Sequence, residues 1–341
     1  MLVAQIQQIN QHKLVDESMN WSYNYYIDSK VQSKIKGNKM ATKLSKQVKL
    51  NLTDDQITYI MAGERKAKEL SVMVEEALGV AKHIKVEAKR QSIIEGPPGV
   101  GKSHTTNQTC VASGVQPIEI GTGSTLSYIA SKLAYADYWI PKEQEIVVIW
   151  DDADDVVFED KKNANIWKNV FMDDTHEPRF IHNVNMGNEI KKLEKDPTKV
   201  KIVEAMKAYI SDDATGIEIP MTRFRHIFLT NYDYEAISEK ASKAWMRPIV
   251  DRFNTNRLQY EWTTAWGWLS HVLLNSQPFE KYKIDLTEEQ KIKIITWLFF
   301  AWPNMGNKQT YRTVREMAQY IINEPTNYLN RWNKFIRTTT K

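Results

Sequence analysis

The chain is poor in cysteine: Cys110 is the one thiol in 341 residues. A single cysteine cannot close a disulfide within the chain. That excludes a disulfide-stapled scaffold and points to a reducing compartment. Long hydrophobic runs are also missing. The longest, Ile294 to Trp302, is broken by Thr296 and falls well short of the ~20 residues of a membrane-spanning helix, so no membrane partner is expected. The opening Met1-Leu-Val-Ala-Gln has no charged segment running into an apolar stretch. No secretory signal is therefore expected, and the expected location is the cytoplasm, that of the host if the chain is viral. A strong overall charge is absent too, since the formal net charge is +4. No internal repeat is visible.

What is there begins with an uneven distribution of charge. Residues 1–50 hold eight lysines against three acids, so the rest of the chain is close to neutral. Residues 1–52 read as a basic, flexible arm, able to touch nucleic acid or another anionic partner. The remainder, with 42% hydrophobic and 26% charged residues overall, has an ordinary globular composition. Thr53-Asp54-Asp55-Gln56 looks like a helix cap followed by acids in the first turn. Apolar residues at helical spacing then predict one or two helices up to about Lys89.

Short apolar runs alternate with helical stretches after that point. Strands are predicted at Ser92–Ile94, Pro117–Ile120, Ile146–Trp150 and His226–Thr230, with helices at 102–113, 125–136 and near 163–172. Strands separated by helices imply a parallel sheet covered on both faces, an α/β fold. From about residue 262 only helical patterns remain, rich in Trp and Leu. The expected layout is therefore an α/β domain over 53–260 and an all-helical subdomain over 261–341.

The first predicted strand runs into Gly96-Pro97-Pro98-Gly99-Val100-Gly101-Lys102-Ser103, which fits G-x-x-x-x-G-K-[ST] at every fixed position. Glycines let such a loop wrap phosphates without Cβ clashes, and its backbone N–H groups face an anion. The following helix, which continues into His104, adds the positive end of its dipole. Lys102 reaches the β- and γ-phosphates, and the Ser103 hydroxyl can ligate Mg²⁺. Such a loop needs an acid for the metal at the end of a nearby strand. Val147-Val148-Ile149-Trp150-Asp151-Asp152 supplies two carboxylates at a strand's C-terminal end, where ligands bind in open α/β sheets. Asp151 is the metal-side candidate and Asp152 the candidate to orient water.

These residues resemble the AAA+ ATPases. Gly96–Ser103 looks like that family's Walker A motif and Val148–Asp152 like its Walker B motif, with Asp152 where the family usually has Glu. Leu229-Thr230-Asn231 resembles sensor 1, a polar residue that helps position the lytic water, with Asn231 as the match. Pro248-Ile249-Val250-Asp251-Arg252-Phe253 resembles the segment that carries an arginine finger, with Arg252 preferred over Arg247. Tyr311-Arg312-Thr313-Val314-Arg315 resembles sensor 2, with Arg312 preferred over Arg315. The resemblance spans roughly residues 60–325. The long insertion between Walker B and sensor 1 is similar to that of small single-ring AAA+ proteins of tailed bacteriophages.

What the resemblance implies is a P-loop sheet sandwiched by helices, with a C-terminal helical lid, and an ATPase using ATP and Mg²⁺. The partners it implies are further copies of the chain, in a hexameric ring. Arg252 of one copy would then reach the nucleotide of the next, and Arg312 would move the lid. DNA is the first expected substrate, as for a motor or loader. A protein substrate for remodelling, or a slow ATP-dependent assembly switch, is the alternative. A simple kinase is more distant. Other signals carry less. Trp262, Trp266 and Trp268 read as core or subunit interface. His176 and His182 lack a zinc pattern. The loop motif explains Asp151 and Asp152 more economically than a nuclease site would.

Overall fold

The computed structural model describes residues 51–79, 90–158, 161–171, 179–181, 186–212, 216–259, 261–276, 278–279, 282–305 and 310–337. The basic segment 1–50, residues 80–89, His176 and His182 lie outside the described residues. In chain order the first elements are α1 (Asp54–Ala77), β1 (Gln91–Glu95), α2 (Lys102–Ala112), β2 (Ile118–Gly121), α3 (Leu126–Trp139) and β3 (Ile146–Asp151). There follow α4 (Asp154–Phe158), α5 (Lys161–Val170), β4 (Arg179–Ile181), α6 (Met186–Leu193), α7 (Val200–Tyr209), β5 (Ile217–Ile219) and β6 (Phe224–Thr230). The last are α8 (Tyr234–Ser238), α9 (Arg247–Val250), β7 (Asn254–Arg257), α10 (Trp262–Asn275), α11 (Glu288–Ala301), α12 (Tyr311–Asn323) and α13 (Tyr328–Arg337). Among the described residues no helix is long and apolar enough to cross a membrane.

The contacts divide the chain into two compact units. The larger holds a five-stranded sheet in the order β2-β3-β6-β1-β7, with every neighbouring pair parallel. The α/β class with a parallel sheet is thus the fold. All residues of β1 and β6 are buried, as are Ile146–Trp150 of β3, because central parallel strands are covered on both faces. Strand β7 is not among the strands that the sequence predicts. Its residues Asn254-Thr-Asn-Arg257 are polar and partly exposed, so an edge strand formed here without an apolar run to announce it.

Helix α1 is one continuous element of 24 residues, opened by a capping box in which Thr53 and Gln56 exchange hydrogen bonds. It serves two cores. Leu70 and Val74 pack with Ile94, Ile149, Ile227 and Trp268 against the sheet. Ile60 packs with Trp266, Leu298, Trp302 and Trp332 among the C-terminal helices. Helices α10 to α13 therefore lie in the same unit as the sheet. At the crossing of α1 and α10 the backbones nearly touch. A Cβ on Gly63 would meet Trp268 N at 2.0 Å, and one on Gly267 would meet Tyr59 O at 1.9 Å. Trp266 and Trp268 are core residues, while Trp262 is exposed.

The smaller unit combines α3, α6, α7 and the antiparallel pair β4–β5. Its centre is Asp137, a fully buried carboxylate. Arg223 reaches it at 3.0 Å, Lys142 at 2.8 Å and the Tyr209 hydroxyl at 2.5 Å. A charge removed from water persists only when paired and hydrogen-bonded in this way.

Candidate functional site

Strand β1 ends at Glu95 and the chain turns through Gly96–Gly101 into α2. Two glycines make the turn possible: Gly99 has φ +74° and Gly101 φ +86°, conformations that L side chains rarely adopt. Pro97 and Pro98 are exposed on the turn, and Val100 is buried beneath it. Lys102, the first residue of α2, is buried and curls back over the loop. Its Nζ donates to the carbonyls of Gly96 at 2.8 Å and Pro97 at 2.9 Å, and to Asn231 Oδ1 at 2.8 Å. Next along the helix, Ser103 Oγ donates to Asp151 Oδ1 at 2.8 Å. Asn231 Nδ2 donates to Asp152 Oδ1 at 3.1 Å. His104, in the same first turn of the helix, is exposed.

The sheet order explains why these groups meet. Strand β6 lies between β1 and β3, with Thr230 beside Glu95 and Leu229 beside Asp151. All three strands run the same way, so their C-terminal ends share one edge. Asn231, one residue past β6, thereby stands between Lys102 and Asp152, although 129 residues separate it from Lys102. Asp152 has φ +50°, a left-handed backbone that Asp tolerates better than most residues. Such a conformation costs about 1–3 kcal/mol and clusters at functional sites. Thr122 Oγ1 holds this residue by donating to its carbonyl at 2.6 Å.

Burial sets the electrostatics. It pushes the Lys102 ammonium down to about 8, against the opposing pull of Asp152, Asp151 and Asp154. It raises the Asp151 carboxyl, opposed by the Ser103 hydrogen bond. It raises Asp154 too, whose Oδ1 accepts from the Tyr234 hydroxyl. The cluster thus pairs a partly desolvated cation with hard oxygen donors. Among the described residues no group of three His, Cys, Asp or Glu side chains could hold a metal unaided. One hydroxyl and one carboxylate, Ser103 and Asp151, suit Mg²⁺ carried on phosphate, which keeps waters and uses few protein ligands.

The arginines lie less close. Arg252 follows α9 and its Nη1 donates to the Pro248 carbonyl; no hydrogen bond joins it to the Lys102 group among the described residues. Arg247 is exposed. Helix α12 does approach the loop. Its cap residue Thr310 would sit 2.6 Å from a Cβ on Gly99, and Tyr311 N donates to Gly99 O at 3.3 Å. Arg312, one residue further, is exposed. Arg315 is engaged elsewhere, stacked 4.5 Å from the Tyr282 ring.

Four residues near the site escaped the sequence reading: Glu95, Thr122, Tyr234 and Arg257. Glu95 left a signal, a charge directly after the apolar pair Ile93-Ile94 and just before the glycine loop. The other three left none, because their roles come from contacts across the sheet edge. No protein-family model matches this chain, and no curated protein matches it in sequence.

Proposed function

We propose that this chain is a P-loop ATPase of the AAA+ class that works as a homo-oligomeric ring, hexameric by analogy, on DNA. The observation that carries the reading is the bonded group of Lys102, Asn231 and Asp152 beside the Ser103–Asp151 pair, at one edge of a parallel sheet. In this reading Gly96–Ser103 is the P-loop, and α10 to α13 form the lid, with α12 resting on the loop.

Lys102 is held by three oxygens that a triphosphate could replace. Turning from the Gly96 and Pro97 carbonyls to the β- and γ-phosphates exchanges neutral acceptors for charged ones, which bind a cation more strongly. Ser103 and Asp151 would hold Mg²⁺, which when bound neutralises charge on the β- and γ-oxygens. Asp152 accepts from Asn231 through one carboxylate oxygen, leaving the other to orient the attacking water. Arg252 would leave its carbonyl partner and reach the nucleotide of the adjacent copy, where an arginine in trans is worth on the order of 10³–10⁵ in rate. The basic segment before residue 51, the phage-like layout and the lysines around residues 190–207 favour DNA over a protein substrate.

The test is steady-state ATPase activity against protein concentration, with and without single-stranded and duplex DNA. Specific activity should rise steeply with concentration, increase several-fold with DNA and vanish in Lys102→Ala. Activity that ignores DNA would remove DNA from the proposal and favour a protein substrate or a slow switch. Activity independent of concentration would refute a site shared between copies.

A further inference from the structure

Glu95 is the last residue of β1, and its side chain is 2% exposed. A carboxylate is costly there unless donors surround it. Two do. Tyr234 N donates to Oε1 at 2.9 Å, and Arg257 Nε donates to Oε2 at 3.0 Å. Arg257 comes from the edge strand β7 and reaches on, its Nη2 lying 2.5 Å from Asp233 Oδ1. Asp233 in turn caps α8 by accepting from Ala236 N at 2.9 Å. At the other end of this turn Thr230 Oγ1 accepts from Tyr232 N at 3.1 Å.

Residues 231–233 therefore form a short turn pinned at both ends. Thr230 holds it to β6, and Glu95 with Arg257 holds it to β1 and β7. The side chain that this turn presents to the site is Asn231, bonded to Lys102 and Asp152. A neutral residue at position 95 could still accept from Tyr234. It would leave the Arg257 guanidinium, 35% exposed, tied to the exposed carboxylates of Asp233 and Glu235 instead of anchored on β1. The charge of Glu95, the buried one of these three carboxylates, is what ties Arg257, and through it Asp233, to the end of β1.

We propose that Glu95, acting with Arg257, is a positioning residue. The pair clamps the Asn231–Asp233 turn and so sets where Asn231 stands between Lys102 and Asp152. This rests on the proposed ATPase and on Asn231 as the group that places the lytic water.

The test is a double-mutant cycle of Glu95→Gln and Asn231→Ala in the full-length chain, reading kcat and nucleotide Kd separately, with thermal unfolding as the fold check. Glu95→Gln should lower kcat about tenfold and leave Kd within about threefold, the signature of a misplaced group acting in the transition state. In the Asn231→Ala background the same substitution should change kcat by less than about twofold, because the group it positions is already gone. Multiplying losses, a loss confined to Kd, or wild-type kcat in Glu95→Gln would overturn the clamp. If Glu95→Gln fails to fold, Asp233→Asn takes its place. That side chain is 42% exposed, and the substitution loosens the same turn from its outer end. A kcat loss absent in the Asn231→Ala background is again the expected result, and wild-type kcat again overturns the clamp. Wild-type turnover in Asn231→Ala alone would instead refute the role given to Asn231. In that case the site reading fails, and not merely the clamp.

Discussion

His226 sits in the middle of β6, wholly enclosed. Trp150 Nε1 donates to its Nδ1 at 3.1 Å, so the ring proton is on Nε2, which finds no acceptor among the described residues. Phe171 meets the ring edge-on at a centroid distance of 5.0 Å and Phe224 stacks on it at 6.2 Å. A second proton would have to enter at Nδ1, facing the indole N–H, inside an aromatic box. Burial accordingly pushes the imidazole down to about 3. In the unfolded chain it titrates near its ordinary value of ~6.5. Above that value His226 is neutral in both states and stability does not depend on it. As pH falls below ~6.5 the unfolded chain takes up a proton that the folded chain refuses, so stability declines until the pH nears 3. Each unit is worth about 1.4 kcal/mol, which makes the loss at pH 5 about 2 kcal/mol.

The assay is urea unfolding at pH 7, 6 and 5, comparing wild type with His226→Gln. Glutamine can still accept from the Trp150 indole but does not titrate. The variant should be less stable at pH 7, and its stability should fall by about 2 kcal/mol less between pH 7 and 5. The slope that remains belongs to other groups, among them His271, whose pKa burial also lowers. Equal slopes in the two proteins would refute the reasoning, because no proton refused by His226 would then be contributing.

Lys102 must be protonated to hold phosphate, and burial pushes its ammonium down to about 8, so nucleotide Kd should rise about tenfold between pH 7 and pH 9. A flat profile by titration calorimetry would count against Lys102 as the phosphate ligand. Gly99→Ala should weaken nucleotide binding at least tenfold, since its Cβ would meet Thr310 Cα at 2.7 Å as well as forcing a side chain into positive φ. Gly123→Ala has similar φ but no neighbour within 4 Å of its Cβ among the described residues, and should cost only the backbone term of about 1 kcal/mol in unfolding experiments. Gly267→Ala should destabilise the chain by about 3 kcal/mol in urea, because α1 and α10 must part to admit a methyl 1.9 Å from Tyr59 O. Arg252→Ala should bind nucleotide normally and lose turnover. Adding Lys102→Ala protein, whose arginine is intact, should restore some activity in mixed assemblies, and normal hydrolysis by Arg252→Ala alone would remove it as a finger.

Four strands of the sheet could be read from the sequence because each carries a cluster of β-branched or aromatic residues of strand length, and the helices between them pointed to parallel pairing. The glycine loop was legible as well, since the spacing of Gly96, Gly99, Gly101, Lys102 and Ser103 is local and its physics needs no partner. Other features depended on distant segments. Strand β7 is polar and exists because β1 offers it a free edge, with Arg257 drawn in by Glu95. The gathering of the C-terminal helices with the sheet depends on α1 running through both cores and on two glycines that let α10 touch it. Local pattern determined which residues could bind phosphate and which stretches could be strands. The order of the strands, a property of the whole sheet, decided that β6 falls between β1 and β3 and so brings Asn231 to Lys102 and Asp152. Side-chain periodicity is written along the chain, whereas neighbours across a sheet are chosen by packing between segments that the chain itself keeps far apart.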